Sequence, residues 1–268
     1  MNAQISSLSV IFMVISCSIA TVVPFLLLVY FRVRKKADIL PFFVGCLIMF
    51  VFALVLESVM HQAVLSSPAG ALIQGNTLLY AVYGGLAAGL FEETGRLFAF
   101  KTLLRKRMDK DANALMYGAG HGGFESVFLV GLTMMNNLIW TELINSGNTA
   151  VLTGSLTGEA LAQVEASIQT LIDTQPLDFL MGGIERLFAI ALHISLSVLV
   201  WFAVKEKGKF YLFPMAILIH ALVDGLTVIV AAAGLPTAAV EAVVGTMSLA
   251  AAVQAKKVWT ECRKEDEA

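Results

Sequence analysis

Long apolar stretches dominate the chain and are separated by short polar segments. Seven of them approach the roughly 20 residues that a helix needs to cross a bilayer; they lie near residues 8–31, 39–60, 77–104, 114–140, 178–204, 210–232 and 236–255. The composition agrees, with 58% hydrophobic and only 14% charged residues, where soluble domains carry about 25% charged residues. We predict an all-α, polytopic membrane protein of about seven transmembrane helices, forming a single integral membrane domain over residues 1–268.

The lysines and arginines divide the junctions between these stretches into two groups. Sixteen of the 18 cluster at alternate junctions, in residues 32–36, 101–110, 205–209 and 256–264. The remaining junctions, 61–76, 141–177 and 231–236, contain none. Because positive residues favour the cytoplasmic side, we expect the N-terminus outside and the C-terminus in the cytoplasm. The 141–177 segment is then an extracytoplasmic loop, in which apolar residues at helical spacing predict a short amphipathic helix.

A few ionisable residues interrupt the apolar stretches. Because charge in hydrocarbon is costly, each one is a candidate for function. By the rise of a helix, the main group lies about 10–21 Å from the basic ends of four different stretches. Its members are Glu92, Glu93, Arg96, His121, Glu125, His193, His220 and Asp224. Small residues, such as the glycine-rich run 118–123, let neighbouring helices approach closely. We therefore predict a polar site in the centre of the bundle.

Imidazole and carboxylate groups at one depth are typical ligands of zinc. A catalytic zinc site needs about three protein ligands and one position for water. We predict His193 and His220 as ligands and either His121 or Glu125 as the third. Asp224 lies four residues after His220, on the same helix face, and either completes the ligand set or orients that histidine. A divalent metal, Zn²⁺ above all, is the expected cofactor.

The adjacent residues Glu92 and Glu93 are candidates for proton transfer rather than for metal binding. Two neighbouring carboxylates on one helix cannot both face the metal, so Glu92 or Glu93 is predicted to be the general base. Arg96 is expected to hold a glutamate ionised. The sequence contains no HExxH or GxSxG motif and no phosphate-binding loop or nucleic-acid signature. Hydrolysis by metal-activated water therefore remains the favoured chemistry among the enzymatic ones.

Four short motifs, in order along the chain, resemble those of a known group of membrane proteases. The sequence EETGR beginning at Glu92 resembles the first motif of CAAX-type, bacteriocin-processing and PrsW-type proteases, and GGFE ending at Glu125 resembles the second PrsW-type motif. Arg186 with His193, and HALVD beginning at His220, are similar to the third and fourth motifs. Over roughly residues 80–230, the set most resembles the YhfC family of intramembrane metalloproteases.

This resemblance implies glutamate-dependent, metal-type peptide hydrolysis inside a bacterial cell membrane. The expected substrate is a transmembrane or membrane-associated protein or peptide, and no nucleic-acid partner is expected. Prenyl-protein proteases have His and Asn where this chain has Glu125 and Asp224, which favours membrane-spanning over prenylated substrates. Two alternatives stay open. Buried Glu, His and Asp residues also build the proton relays of transporters, and a non-catalytic scaffold could use the same helices to bind a partner helix.

Overall fold

The structure is a computed structural model that describes residues 4–267, so residues 1–3 and 268 of the predicted domain lie outside it. The described residues form ten helices, a short 3₁₀ turn at Arg105–Arg107 and no strand. The helices are α1 (Ser7–Arg34), α2 (Leu40–Leu65), α3 (Pro68–Gln74), α4 (Thr77–Lys101), α5 (Ala112–Asn145), α6 (Ala150–Thr153), α7 (Gly158–Asp173), α8 (Pro176–Lys205), α9 (Leu212–Ala232) and α10 (Thr237–Glu267). Two of the ten, α2 and α5, contain π-helical stretches at Met49–Glu57 and Val127–Gly131. The predicted all-α membrane fold is confirmed.

Six of these helices, α1, α2, α5, α8, α9 and α10, are long and apolar enough to cross a membrane. The third predicted span corresponds to α4, which has 25 residues and is therefore about 37 Å long. It is less apolar than the six because Glu92, Glu93 and Arg96 lie within it. All three side chains are buried among the neighbouring helices. Seven is therefore an approximate number of spans: six apolar helices and one polar helix packed against them.

Glycines allow the site-bearing helices to touch at backbone distance. A Cβ atom at Gly118 would lie 2.5 Å from an α8 backbone atom, and one at Gly120 would lie 2.0 Å from an α2 carbonyl oxygen. On α4, Cβ atoms at Gly85 and Gly89 would lie 2.3 and 2.7 Å from α9 carbonyl oxygens. A larger residue at these positions would separate the helices. The glycines thus place α5 beside α8, and α4 beside α9.

The segment between α5 and α8 contains α6 and α7. Leu171 of α7 is buried in a small apolar cluster with Met134 of α5 and Phe179 of α8. The opposite side of α7 is exposed, as shown by Gln163, Ser167 and other polar residues. This helix therefore packs across the ends of α5 and α8 that are remote from the lysine and arginine clusters.

Three fully buried aromatic residues lie on the basic side of the bundle. Phe100, Tyr117 and Trp201, from α4, α5 and α8, have no exposed surface. The Phe100 ring centroid lies 4.7 Å from that of Tyr117 and 5.1 Å from that of Trp201, both in edge-to-face geometry. We call these three residues the aromatic layer. It fills the space between the basic ends of the helices and the polar residues deeper in the bundle.

Candidate metal centre

The structure brings the predicted site residues together on α4, α5, α8 and α9. The ring centroids of His193 and His220 are 5.4 Å apart, and those of His121 and His193 are 5.1 Å apart. All three histidines are buried, with at most 3% of their surface exposed. Their imidazoles therefore face one another inside the protein rather than lipid, as a shared site requires.

The carboxylate of Glu92 lies between the imidazole rings of these three histidines. Its Oε2 atom is 2.9 Å from His121 Nε2 and 3.8 Å from His193 Nδ1, and its Oε1 atom is 3.9 Å from His220 Nε2. One carboxylate thus contacts or approaches histidines from three other helices. Glu92 also lines an internal cavity, which the neighbouring Glu93 does not.

Glu93 points away from that cavity and organises the residues behind it. Its Oε1 atom accepts hydrogen bonds from Arg96 Nη1 at 2.5 Å and from His220 Nδ1 at 2.8 Å. Arg96 therefore pairs with the residue three positions before it, and not with Glu92, the i,i+4 neighbour. His220 Nδ1 donates its proton to the carboxylate, so in the neutral imidazole the Nε2 atom carries the lone pair and directs it toward the site.

His193 is held from both sides. Arg96 Nη2 lies 3.0 Å from His193 Nδ1, and a guanidinium has no lone pair to offer, so this nitrogen accepts the hydrogen bond. The other nitrogen, Nε2, lies 2.6 Å from Glu125 Oε2. An ion bound at Nδ1 would use the lone pair that now receives the Arg96 proton. Arg96 and Glu125 thus fix the ring position.

Glu125 also connects the site to a second arginine. Arg186 Nη1 donates to Glu125 Oε1 at 3.0 Å, while the remaining nitrogens of Arg186 pair with the adjacent Glu185. The structure shows that the arginine is shared between that glutamate and the site.

An internal cavity of about 400 Å³ opens beside these residues. The site residues on its wall are Glu92, Glu125, His193, His220 and Asp224. The Asp224 side chain is 38% exposed, and its Oδ2 atom lies 3.5 Å from His220 Nε2. Glu241 of α10 lines the same cavity.

A separate polar cluster on α2 and α4 was not predicted as such. Glu57 is buried, and its Oε1 atom lies 3.1 Å from His61 Nε2. The other nitrogen of His61 lies 2.7 Å from the Tyr83 hydroxyl. Nothing in the sequence pattern singled out Tyr83, since a tyrosine in an apolar helix is common.

The residues present suit a divalent cation. Within the part of the chain that the structure describes, Glu92, His121 and His193 offer one ligand atom each, all within 4.8 Å of one another. In the same part, the buried atoms Glu93 Oε2 and His121 Nδ1 have no hydrogen-bond partner. Nitrogen and oxygen donors that are buried together and only partly satisfied are the donor set expected around zinc and similar ions.

The long apolar helices and the buried cluster of Glu92, His121 and His193 identify a polytopic membrane protein with a candidate metal centre inside its helical bundle. The chain belongs to the YhfC intramembrane metalloprotease family, which it matches over residues 19–245, a range that includes every predicted site residue. It is 36% identical over 221 residues to the Bacillus subtilis (strain 168) protein called "Uncharacterized membrane protein YhfC", covering 82% of this chain and 84% of that relative. No solved structure matches the chain.

Proposed function

We propose that this protein is an intramembrane, metal-dependent endopeptidase that cleaves membrane-embedded or membrane-associated protein substrates. The observation that carries the proposal is Glu92, a cavity-lining carboxylate within 4 Å of imidazole nitrogens from three other helices. Membership of a family named for intramembrane metalloproteases supports the same class of reaction. A cavity of about 400 Å³ gives room for water and for a short peptide segment beside these groups.

Glu92, His121 and His193 are the residues that would hold the ion, and zinc suits this mixture of nitrogen and oxygen donors best. When bound, the ion would polarise the scissile carbonyl and lower the pKa of a water molecule toward neutrality. Glu92 Oε2 is the oxygen nearest to His121 and His193. The other oxygen, Oε1, is directed toward His220.

Proton transfer is the role we assign to Glu92 Oε1. This oxygen accepts a proton from the attacking water and returns it to the nitrogen of the departing amine. Glu93 and Arg96 act behind it as positioning residues. Glu93 fixes His220 through Nδ1, Arg96 fixes Glu93, and Glu125 fixes His193 through Nε2, so the groups around the reacting peptide keep their places.

Metal analysis and proteolysis of purified protein test this proposal. Glu92→Gln keeps the side-chain volume but can neither accept the proton nor offer an anionic oxygen to the ion, so cleavage should fall by at least about 10²–10⁴-fold. Zinc content measured on the same variant separates the two losses. Glu159→Gln on the exposed side of α7 is the matched control and should leave cleavage unchanged. The paired change His121→Ala and His193→Ala should abolish zinc binding.

Candidate substrates come from comparing membrane proteomes of cells that contain the wild type or Glu92→Gln. Cleavage that persists unchanged in Glu92→Gln would refute the proposed role of this residue. Zinc content that is unchanged after loss of both His121 and His193 would refute the metal site. Solute uptake into liposomes without any proteolysis would favour a transporter instead.

A further inference from the structure

We infer that water and substrate reach the site from the lysine- and arginine-free end of the bundle, through the cavity between α8, α9 and α10. The description of the entering molecule as a substrate rests on the proposed function, but the route itself does not. By the positive-inside rule this end is the extracytoplasmic one. The bond that is cut would then lie in the outer half of the membrane.

The cavity wall shows the direction of the opening. On α8 its lining residues begin at Glu185 and stop at His193, and on α9 they begin at His220 and continue to Val228. On α10 they are Glu241 and Val244, close to the start of that helix. Val228 and Glu241 lie about 6 Å, by helix rise, from the helix ends that the turn between α9 and α10 joins. The wall therefore runs from the site toward that turn.

The opposite direction is closed by protein. None of the described residues 194–205 of α8 or 212–219 of α9 lines the cavity. The aromatic layer lies there instead, together with Leu196 and Ala216, and all of these residues have no exposed surface. Interiors packed in this way leave few voids larger than a water molecule. A route from the basic end would have to displace these side chains.

The charges on the wall indicate what kind of segment enters. Near the opening, Glu185, Arg186, Asp224 and Glu241 replace the apolar residues found elsewhere on these helices. A peptide must leave helical structure before it can be cut, and its freed backbone groups need polar partners within the membrane. These side chains can provide such partners. We therefore assign the substrate to membrane proteins with an unwound segment at the outer end of a span.

Cysteine labelling from each side of the membrane tests the route without any substrate. Thr227 lines the cavity, whereas Ser197 lies one turn beyond His193 toward the basic end and is fully buried. Thr227→Cys and Ser197→Cys are near-isosteric reporters, made after Cys17, Cys46 and Cys262 are replaced by serine. Val228→Cys serves as a second cavity reporter in case Thr227→Cys folds poorly.

Two exposed positions identify the sides: Ala233→Cys, in the turn between α9 and α10, and Lys106→Cys, in a basic junction. A membrane-impermeant thiol reagent is added to intact cells and, separately, to inverted vesicles. The cavity reporters should react from the same side as Ala233→Cys and be spared from the other side. Ser197→Cys should react from neither side until the protein is unfolded in detergent.

Cavity reporters that react from the side of Lys106→Cys, or from neither side, would overturn the inference. So would reaction of folded Ser197→Cys. These outcomes do not depend on activity, because the reporters are read by labelling alone. A protein without any proteolysis could still show the expected labelling, and an active protease could show the reverse, so the two proposals fail separately.

Discussion

Gly85 offers the sharpest test of how helix contact creates the site. An alanine Cβ atom at this position would lie 2.3 Å from the carbonyl oxygen of Ala221 on α9, where ordinary contact begins at 3.4 Å. The neighbouring Gly84 has nothing within 4 Å of the equivalent position. Both glycines are within α4, so Gly84→Ala is a control with the same chemistry and no clash.

The required movement can be read from these distances. To lengthen the distance between the alanine Cβ atom and the Ala221 oxygen from 2.3 to 3.4 Å, α4 and α9 must move apart by about 1.1 Å. His220 precedes Ala221 on the moving helix, and its 2.8 Å hydrogen bond to Glu93 would lengthen beyond a useful distance. Overpacking costs about 1–3 kcal/mol, and loss of a hydrogen bond to a charged group costs about 1.5–3 kcal/mol. Gly84→Ala should instead be neutral or stabilising by up to about 1 kcal/mol.

The assay combines unfolding of the purified protein in mixed micelles with zinc content measured on the same samples. We expect Gly85→Ala to unfold more easily and to bind less zinc than Gly84→Ala. Equal unfolding free energies for the two variants would refute the reasoning that backbone contact between α4 and α9 holds Glu93 against His220.

Three further substitutions test other parts of the molecule. At the basic end, a hydrogen bond from Lys110, assisted by two other donors, lowers the pKa of Asp38 from 3.8 to about 2. Because the pKa is lower in the folded state, the ionised Asp38 stabilises the fold above pH 3.8, and this stabilisation disappears toward pH 2. Asp38→Asn should therefore unfold more easily than the wild type at neutral pH and equally easily at pH 2, and a pH-independent difference would contradict this explanation. Trp201→Phe removes the 3.0 Å hydrogen bond from Trp201 Nε1 to the Asp111 carboxylate at the start of α5. The unfolding free energy should fall by about 1.5–3 kcal/mol, and an unchanged value would show that this bond contributes nothing. Gly122→Ala would put a Cβ atom 3.0 Å from the imidazole ring of His193. The zinc affinity should therefore fall more than the unfolding free energy does. Unchanged zinc binding would place the ion elsewhere.

Much of the fold follows from the sequence because hydrocarbon imposes a simple rule. A segment that crosses a bilayer must satisfy its own backbone hydrogen bonds and must be apolar outside, so long apolar stretches are already helices in the sequence. The same rule makes buried ionisable residues rare, which is why Glu92, His193 and His220 could be selected as candidates before any coordinates. Only α4 deviates, and it does so because the candidate residues themselves reduce its apolar character.

The pairing of those residues could not be predicted in the same way. The sequence predicted only that Arg96 holds one of the two glutamates ionised. The structure pairs the arginine with Glu93, and the choice between the i+3 and i+4 neighbours depends on what the other helices offer. Arg186 reaches Glu125, 61 residues away, a contact that no sequence spacing indicates.

The sequence by itself determined the helices, their approximate ends, the two classes of junction and the short set of residues able to carry chemistry. The tertiary structure alone decided which carboxylate faces the cavity and which stays behind it, and along which helices the cavity extends. The reason is geometric. Periodicity determines which side chains share a helix face, but the rotation and separation of neighbouring helices depend on close contacts such as those at Gly85 and Gly118, and these involve residues far apart in the chain.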